Sequence, residues 1–468
     1  MDEMQNNSRP VNPRRKQRSQ LQIFKEAYLP VIIVGIALVL ILIFIIGGIV
    51  RGVQRSKHNA QLAQEASIAE QQKLEQLNDE AAGLIAQAEV LAKQCDYDSA
   101  ISMLDSFSGD MTAFPQLAEK RAAYEKTKES LVLWNDPAQV VSLSFQHLIA
   151  DTARAFKDAV YGDSYNKNYV TCEEFSKILV QLYENGYMLV SLSDIVDENG
   201  AKDLYLPNGK KPLLLTQTNV NYNNYMVDSD GDKLPDAGGA GFANKLVFDD
   251  NGSITCQMVD SSGNTVTGNY DLVPILNDFI SAHPDFSYRG AKAILALTGY
   301  DGVFGYRTDP DGEEFFGKAH HQQEVDDATE MAATLRDMGY ELACYTYENE
   351  PYGSYTAQQI QDEMTQWTNE VTSIIGQTDV FVFSRLSDIA DNGAAYTGEK
   401  YNALQSAGFR YYLGFCQDAE GYYGAYNDHI RLGRILVTGG NMAYNASWFE
   451  GIFDAASVLD KTRGTVPG

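Results

Sequence analysis

The feature that constrains this chain most is an apolar run of about twenty residues, Pro30–Val50, without a charged side chain. As a helix, a run of this length crosses a hydrocarbon core about 30 Å thick. Basic residues flank it unevenly: Arg9, Arg14, Arg15, Lys16, Arg18 and Lys25 precede it, and Arg51, Arg55 and Lys57 follow it. The positive-inside rule therefore predicts a cytoplasmic tail, 1–29, a transmembrane helix, 30–50, and an extracellular remainder. A cleaved signal peptide is the alternative, but no Ala-x-Ala cleavage site follows the run.

Charge excludes one class of partner. The 468-residue chain has a net charge of −27, although its first 57 residues are basic overall. A body this acidic repels nucleic acid and other polyanions at long range. The cysteines are scattered without Cys-x-x-Cys spacing, which supports neither a zinc knuckle nor a disulfide framework. We therefore expect a protein of the bacterial cell membrane with one anchoring helix and no nucleic-acid partner.

Segment 51–135 has the composition of a helical stalk. From Leu74 to Leu91, Leu and Ala recur at spacings of three and four residues, which predicts one apolar helix face. The sequence Cys95-Asp-Tyr-Asp-Ser-Ala-Ile101 resembles the turn and second-helix start of a tetratricopeptide hairpin, and Phe114–Leu133 predicts a third helix. Two interpretations remain open, a spacer that lifts the globular part off the membrane and a peptide-binding repeat.

The remainder, 136–468, alternates apolar strands with helical stretches. Candidate strands are Val140–Phe145, the run from Lys211, Ala291–Leu297, Tyr340–Tyr347, Asp379–Ser384, Phe409–Phe415 and Ile430–Thr438. Candidate helices are Leu272–Ala282, Glu324–Met338, Thr356–Ile375, Lys400–Ala407 and Trp448–Leu459. Thr171 and Glu174 predict a capping box at the start of a further helix. This alternation predicts an α/β fold of parallel βα units with functional residues at the C-terminal strand ends.

An insertion, 226–270, is rich in Gly, Asp and Asn, and its segments Lys245–Phe248 and Ile254–Val259 predict hairpin strands. It begins with an Asp-rich sequence similar to the loops of bacterial thrombospondin-type repeats. Carboxylates stand at Asp228, Asp230, Asp232 and Asp236. This spacing matches the oxygen-ligand pattern of a calcium loop. Against calcium, Lys233 stands at the sixth position and Gly239 replaces the bidentate Glu of the twelfth, so a solvated turn is the alternative.

Two strand-end sequences carry a family resemblance. One reads Lys211-Pro-Leu-Leu-Leu-Thr-Gln-Thr-Asn-Val-Asn-Tyr222, and the other reads Gly339-Tyr-Glu-Leu-Ala-Cys-Tyr-Thr-Tyr-Glu-Asn-Glu350. They resemble motifs one and two of the polysaccharide deacetylases, the NodB-homology domain of carbohydrate esterase family four, written Lys-Pro-x-x-x-Thr-Phe-Asp-Asp-Gly-Tyr and His-x-x-x-His. The resemblance covers Val140–Leu459. It implies the distorted, seven-stranded (β/α) barrel of that family, preceded here by a transmembrane helix and an α-helical stalk.

In this chain the reactive residues of the family are replaced. The resemblance implies that Thr218 stands at the catalytic base aspartate, while Asn219, Tyr345 and Asn349 stand at the Asp-His-His metal ligands and Thr346 is kept. Amide oxygens and a phenol with a pKa of about 10 are poor ligands for zinc or cobalt. A threonine hydroxyl cannot act as a carboxylate general base. The divalent metal site of the family is therefore predicted to be lost.

Other reactive positions are weaker candidates. Motif three has a loose counterpart in Phe383-Ser-Arg-Leu-Ser-Asp388, and the late Leu-x-x-His motif has no clear match. Alternative catalytic residues are His147, Arg385, Asp388 and His429. His320-His321 with Glu324 is a weak metal candidate, because the segment Phe315–Gln323 is predicted to be an exposed loop.

Three functions follow as hypotheses. The first is an outward-facing, catalytically degenerate barrel that binds a cell-wall or exopolysaccharide glycan, or an envelope protein. The second is an active carbohydrate esterase that hydrolyses N-acetyl groups with an altered metal site. The third is a structural scaffold that acts through the stalk. Clustering of Asn219, Tyr345 and Asn349 in one pocket favours the first two, and a carboxylate and an imidazole meeting there favours the enzyme.

Overall fold

The computed structural model describes Lys25, Tyr28–Trp134, Asp136–Cys416 and Gly421–Gly468. The predicted cytoplasmic tail, 1–29, lies outside the described residues except for Lys25, Tyr28 and Leu29. The chain divides into two compact units, 1–80 and 81–468.

One helix, Leu29–Lys93, contains the apolar run Pro30–Val50. Nearly all side chains of that run are exposed, and among the described helices this is the one long and apolar enough to cross a membrane. The helix does not end with the run. It continues to Lys93 because the following residues are mostly Ala, Gln, Glu, Lys and Leu, which have high helix propensity.

The second unit begins with the end of this helix and two shorter helices. The chain turns at Cys95, whose φ is +62°, and then forms Tyr97–Asp105 and Pro115–Glu129. The Asp96 carboxylate caps the first of them by accepting a hydrogen bond of 3.3 Å from the Ser99 backbone N–H. Side chains buried among these helices are Ala88, Ala100, Leu104, Leu117 and Tyr124.

The last of these helices is shorter than the predicted Phe114–Leu133. It ends at Glu129, and Val132–Trp134 forms a strand that pairs antiparallel with Leu204–Leu206. Backbone hydrogen bonds to that partner strand replace those of a further helical turn. Tertiary pairing therefore overrides the local helix propensity.

Seven parallel strands close into a barrel, and their order around it is their order in the chain. Strands β1 to β7 are Val141–Phe145, Lys211–Thr218, Ile294–Leu297, Glu341–Cys344, Val380–Val382, Tyr411–Cys416 and Ile430–Leu436. Each strand pairs in parallel with the next, and β7 pairs with β1 to close the ring. Tyr187–Leu189 adds in parallel to β2, and Tyr423–Ala425 adds antiparallel to β7. The predicted α/β barrel of seven parallel strands is confirmed.

Helices cover the barrel. The longer ones are Cys172–Glu184, Leu272–Ala282, Lys318–Asp337, Ala357–Gln366 and Glu399–Ser406. The predicted capping box at the start of Cys172–Glu184 is present, with Thr171 and Glu174 each bonding the backbone of the other. The apolar faces of these helices and the strands share one large hydrophobic core. Burial of this apolar area is what stabilises the closed barrel.

The segment Phe315–Gln323 was predicted to be a loop, and the structure shows this to be wrong. It contains the end of one helix, Pro310–Phe316, and the start of the next, Lys318–Asp337. Gly317 separates the two helices with a φ of +86°, a conformation that glycine adopts without steric cost.

The single helix predicted over Trp448–Leu459 is also wrong. The structure has a 3₁₀ helix at Ala446–Phe449 and a separate turn of α-helix at Ala455–Val458. Gly451, with a φ of +76°, ends the first, and the Asp454 carboxylate caps the second. The glycine and the capping carboxylate interrupt the helix that the spacing of apolar residues alone predicts to be continuous.

The insertion forms a three-stranded antiparallel sheet of Lys245–Phe248, Ile254–Val259 and Thr265–Gly268. The first two strands have the predicted bounds. The third was not predicted, because its four residues are largely solvent-exposed and carry little apolar signal.

Candidate binding site at the barrel mouth

A cavity of about 480 Å³ opens at the C-terminal ends of the barrel strands. Its lining comes from β1, β2 and β7 and from the segments that follow β1, β4, β5 and β7. The lining residues are Ser144, Phe145, Gln146, Lys167, Asn168, Thr218, Tyr345, Arg385, Leu386, Arg434, Leu436, Val437, Thr438, Gly440, Asn441, Tyr444, Asn445 and Gly468. The C-terminal strand ends are where (β/α) barrels carry their functional residues.

Arg434 of β7 lies in the cavity wall and is only 1% exposed. Its guanidinium donates a hydrogen bond of 2.8 Å to Ser144 Oγ and a second, shorter bond to the Phe383 carbonyl. The guanidinium carbon lies 6.0 Å from the centre of the Tyr345 ring, and Nε has no hydrogen-bond partner. Burial lowers the pKa of Arg434, although nearby Tyr345 opposes this. No carboxylate in the described part of the chain forms an ion pair with it.

Two more cations line the same cavity. Arg385 follows β5, is exposed, and has a φ of +49°; Lys167, in the helix Gly162–Asn168, is half-buried. Neither forms a salt bridge with another described residue. The lining contains no Asp, Glu or His side chain from the residues that the structure describes. The side chains of the lining therefore carry a net positive charge, and Gly468, the last residue of the sequence, also lies in the lining.

Thr218 and Tyr345 meet in this cavity. Thr218 is the last residue of β2, and its buried hydroxyl donates a 3.2 Å hydrogen bond to the Phe145 carbonyl. Tyr345 follows β4 directly, and its backbone N–H donates to the Leu297 carbonyl at 2.7 Å. The mouth therefore has the hydroxyl of Thr218 where the resemblance implies a carboxylic acid, and the phenol of Tyr345 where it implies an imidazole.

The other three motif positions lie outside the cavity lining, so the expected clustering of Asn219, Tyr345 and Asn349 in one pocket is not found among the lining residues. The Asn219 side-chain oxygen accepts a hydrogen bond of 3.3 Å from Thr298, and the Thr346 hydroxyl accepts one of 3.0 Å from the Glu350 backbone N–H. The side-chain oxygen of Asn349 is buried without a partner. All three residues have left-handed backbone conformations, with φ values of 63°, 60° and 57°. Non-glycine residues in this conformation are strained, and such strain concentrates at functional sites.

His147 lies apart from the cavity lining. It is 2% exposed, its ring centre lies 4.8 Å from that of Tyr222, and neither ring nitrogen has a hydrogen-bond partner. The Asp271 carboxylate lies 3.7 Å from its Nδ1. That carboxylate accepts hydrogen bonds from the side chains of Gln217 and Tyr222, so it belongs to a buried polar cluster outside the barrel mouth.

Asp388 and His429 also have structural partners and do not line the mouth cavity. Asp388 accepts a hydrogen bond of 2.8 Å from Arg431 and one of 2.7 Å from the Tyr396 hydroxyl, and burial raises its pKa. His429 Nδ1 lies 2.8 Å from the Asp428 carboxylate, and its Nε2 accepts the Tyr396 backbone N–H. Of the four alternative catalytic residues, Arg385 is the one that the cavity contains.

Sequence reasoning missed several residues of this site. Lys167 and Tyr444 belong to helices that reach the mouth only after the barrel closes. Arg434 gave a usable signal, because it interrupts the apolar strand Ile430–Leu436, and buried arginines are rare without a reason.

The Asp-rich loop of the insertion brings three of its four carboxylates together. Ligand oxygens of Asp228, Asp230 and Asp236 lie within 4.8 Å of one another, and Asp232 is not part of the group. Backbone N–H groups donate to the same carboxylates, such as Gly231 to Asp228 at 2.7 Å. The donor set consists of the hard oxygens that calcium prefers.

Comparisons with known proteins give little beyond this geometry. No protein-family model matches the chain, and no curated protein matches its sequence. A search of solved structures finds the Streptococcus pyogenes deacetylase PplD in complex with acetate, at 12% identity and a TM-score of 0.37. The match covers 70% of this chain and 100% of that one.

Proposed function

We propose that this protein is a membrane-anchored, deacetylase-like barrel that binds a saccharide of the cell envelope and has lost the metal chemistry of the family. The observation that carries the proposal is the composition of the mouth cavity. Thr218 and Tyr345 line it, and no carboxylate or imidazole side chain joins them in the described lining.

The residues at the motif positions do not fit a zinc or cobalt ion. Tyr345 offers a neutral phenol, and Asn219 already accepts a hydrogen bond from Thr298 through its amide oxygen. Asn349 lies outside the cavity lining. Thr218 cannot take up a proton from water as a carboxylate does, and the described lining contains no Asp, Glu or His side chain to act as the general base. Deacetylation by the route of the family is therefore not supported here.

The cavity suits saccharide binding. Its volume lies within the range of pockets for small ligands, and it combines amide side chains with tyrosine rings. Asn168, Asn441 and Asn445 offer hydrogen-bond donors and acceptors for hydroxyl groups. Tyr444, 57% exposed, and Tyr345 offer aromatic faces for sugar rings.

The anchor supports a location at the cell envelope. Helix Leu29–Lys93 contains a segment that is long and apolar enough to span a membrane, and the excess of basic residues before Pro30 favours a cytoplasmic N-terminus. In this arrangement the barrel faces outward, and the tetratricopeptide-like helices serve as its spacer. The Asp-rich loop would hold calcium through Asp228, Asp230 and Asp236.

Two assays on the full-length protein in detergent micelles test the proposal. Acetate release is measured from acetylated chitooligosaccharides and peptidoglycan, with zinc, cobalt or chelator added, and we expect none. Saccharide binding is measured by calorimetry, and Tyr345→Ala is expected to weaken it about tenfold because the ring lines the cavity. Tyr205→Ala, at an exposed tyrosine outside the cavity, is the control.

Metal-dependent acetate release that chelator abolishes would show that other ligands complete the site and that the protein is an enzyme. Equal saccharide affinity of the wild type and Tyr345→Ala would show that the saccharide does not bind in the mouth cavity.

A further inference from the structure

We propose that the mouth cavity recognises the anionic group of an acidic saccharide, either a carboxylate or a phosphate ester on the sugar. This inference rests on the proposed saccharide-binding function and specifies the class of ligand. It depends on three cations, Arg434, Arg385 and Lys167, which line one cavity without a carboxylate side chain among them.

Arg434 is the strongest part of the argument. A guanidinium taken out of water is costly unless a counter-ion compensates it, and buried arginines in proteins are usually paired. Here the hydrogen-bond acceptors are the neutral Ser144 hydroxyl and the Phe383 carbonyl, and Nε has none. The side chain is almost completely buried yet contributes to the cavity wall. An anion in the cavity would supply the missing counter-charge.

Other buried arginines of this chain show the contrast. Arg431 pairs with Asp388 at 2.8 Å, and Arg463 pairs with Glu174. Arg307, also buried, does not show this contrast, because its guanidinium donates to the Asp301 and Tyr222 carbonyls and to no carboxylate among the described residues. Arg434 differs from all three in facing a cavity of about 480 Å³.

Arg385 and Lys167 add positive charge from separate elements. Arg385 is held in a left-handed conformation after β5, which fixes where its side chain leaves the backbone. A guanidinium matches the paired oxygens of a carboxylate or phosphate, and an ammonium adds a point charge. Cations from a helix, from β7 and from the segment after β5 therefore line the space in which an anionic group would lie.

The overall charge restricts the ligand further. The chain carries −27, so a densely charged polyanion is repelled before it reaches the cavity. A saccharide with single anionic groups on an otherwise neutral backbone avoids most of this repulsion. Tyr444 and the Asn side chains of the lining can contact the neutral part of such a sugar.

Calorimetry on the full-length protein in micelles tests the inference. The probes are a glucuronate-containing disaccharide, a phosphorylated disaccharide, and the neutral disaccharide of the same linkage. We expect the acidic probe that fits to bind at least about tenfold more tightly than the neutral one. Comparison of the carboxylate and phosphate probes identifies the source of the anionic group.

The double substitution Lys167→Gln and Arg385→Gln is expected to remove most of this preference, because both side chains line the cavity and neither forms a salt bridge with another described residue. Arg434→Gln is the second variant, with circular dichroism to show that it folds. Lys318→Gln is the matched control, since it removes one charge from a side chain that is 90% exposed and outside the cavity.

Equal affinity for acidic and neutral probes, or an unchanged preference in the double variant, would overturn the inference. If the neutral probe binds and Tyr345→Ala weakens it, the proposed saccharide-binding function stands without the anion site. If no saccharide binds to the wild type, both are wrong.

Discussion

Replacing Arg434 by Met tests whether this guanidinium binds a ligand or stabilises the fold. Arg463 is its natural comparison, because both side chains are buried, with exposures of 1% and 4%. Arg463 donates to both carboxylate oxygens of Glu174, one bond being 2.6 Å long, and to the Asn166 and Tyr169 carbonyls. The described hydrogen-bond partners of the Arg434 guanidinium, the Ser144 hydroxyl and the Phe383 carbonyl, are both neutral.

These contacts give different expected costs. Arg463→Met leaves Glu174, which is 0% exposed, as an uncompensated buried carboxylate, at a cost of about 3–5 kcal/mol. Arg434→Met forfeits two hydrogen bonds from a charged donor, about 1.5–3 kcal/mol each. It also removes the desolvation penalty of an unpaired ion, which is several kcal/mol. These two effects have opposite signs and similar size, so we expect Arg434→Met to destabilise the protein clearly less than Arg463→Met does.

Urea unfolding of the full-length protein in micelles, followed by intrinsic fluorescence, measures both variants against the wild type. A large shift of the midpoint for Arg463→Met and a small one for Arg434→Met is the expected pattern. If Arg434→Met destabilises the protein as much as Arg463→Met does, the guanidinium is a structural element. An anionic ligand would then not be needed to explain why Arg434 is buried beside the cavity.

Two further substitutions test the charge balance. Burial raises the pKa of Glu341 from 4.5 to about 7, so the folded protein binds a proton that the unfolded chain releases. The free energy of unfolding should therefore fall as the pH rises from about 4.5 to 7, which is measured as a decline in the melting temperature. Glu341→Gln should abolish this decline. Identical pH profiles for the wild type and the variant would contradict the assignment to Glu341. Thr218→Asp adds a carboxylate to the cavity lining and should weaken binding of an acidic saccharide about fivefold or more without creating zinc-dependent acetate release. Unchanged binding would show that Thr218 lies too far from the bound anion.

Much of the fold could be predicted from the sequence, because apolar strands and amphipathic helices alternate with clear boundaries. Strand ends were less certain. The interpretation of Tyr340–Tyr347 as one strand is too long, since β4 ends at Cys344. Thr346 adopts a φ of +60°, which an extended strand cannot include. A threonine in the sequence does not predict this conformation, because β-branched residues favour strands.

The site was harder to predict than the fold. Thr218 and Tyr345 could be placed at the mouth because each follows a recognisable strand in the sequence. Lys167 could not, because it reaches the cavity from a helix far away in sequence. His147 and Asp388 are reactive residue types, but the side chains beside them, Asp271 and Arg431, are distant in sequence and become neighbours only on folding.

The substitutions at the mouth are best understood together as a change of charge. A carboxylate at position 218 would lie in the lining of the same cavity as Arg434 and lower the positive charge of that lining. With threonine there, the guanidinium has no anionic partner among the described residues, and the fold bears the cost of burying it. A cavity that had merely lost its catalytic groups would lose little stability by replacing this arginine with an apolar residue. Its presence beside Arg385 and Lys167 is explained if a ligand supplies the missing negative charge.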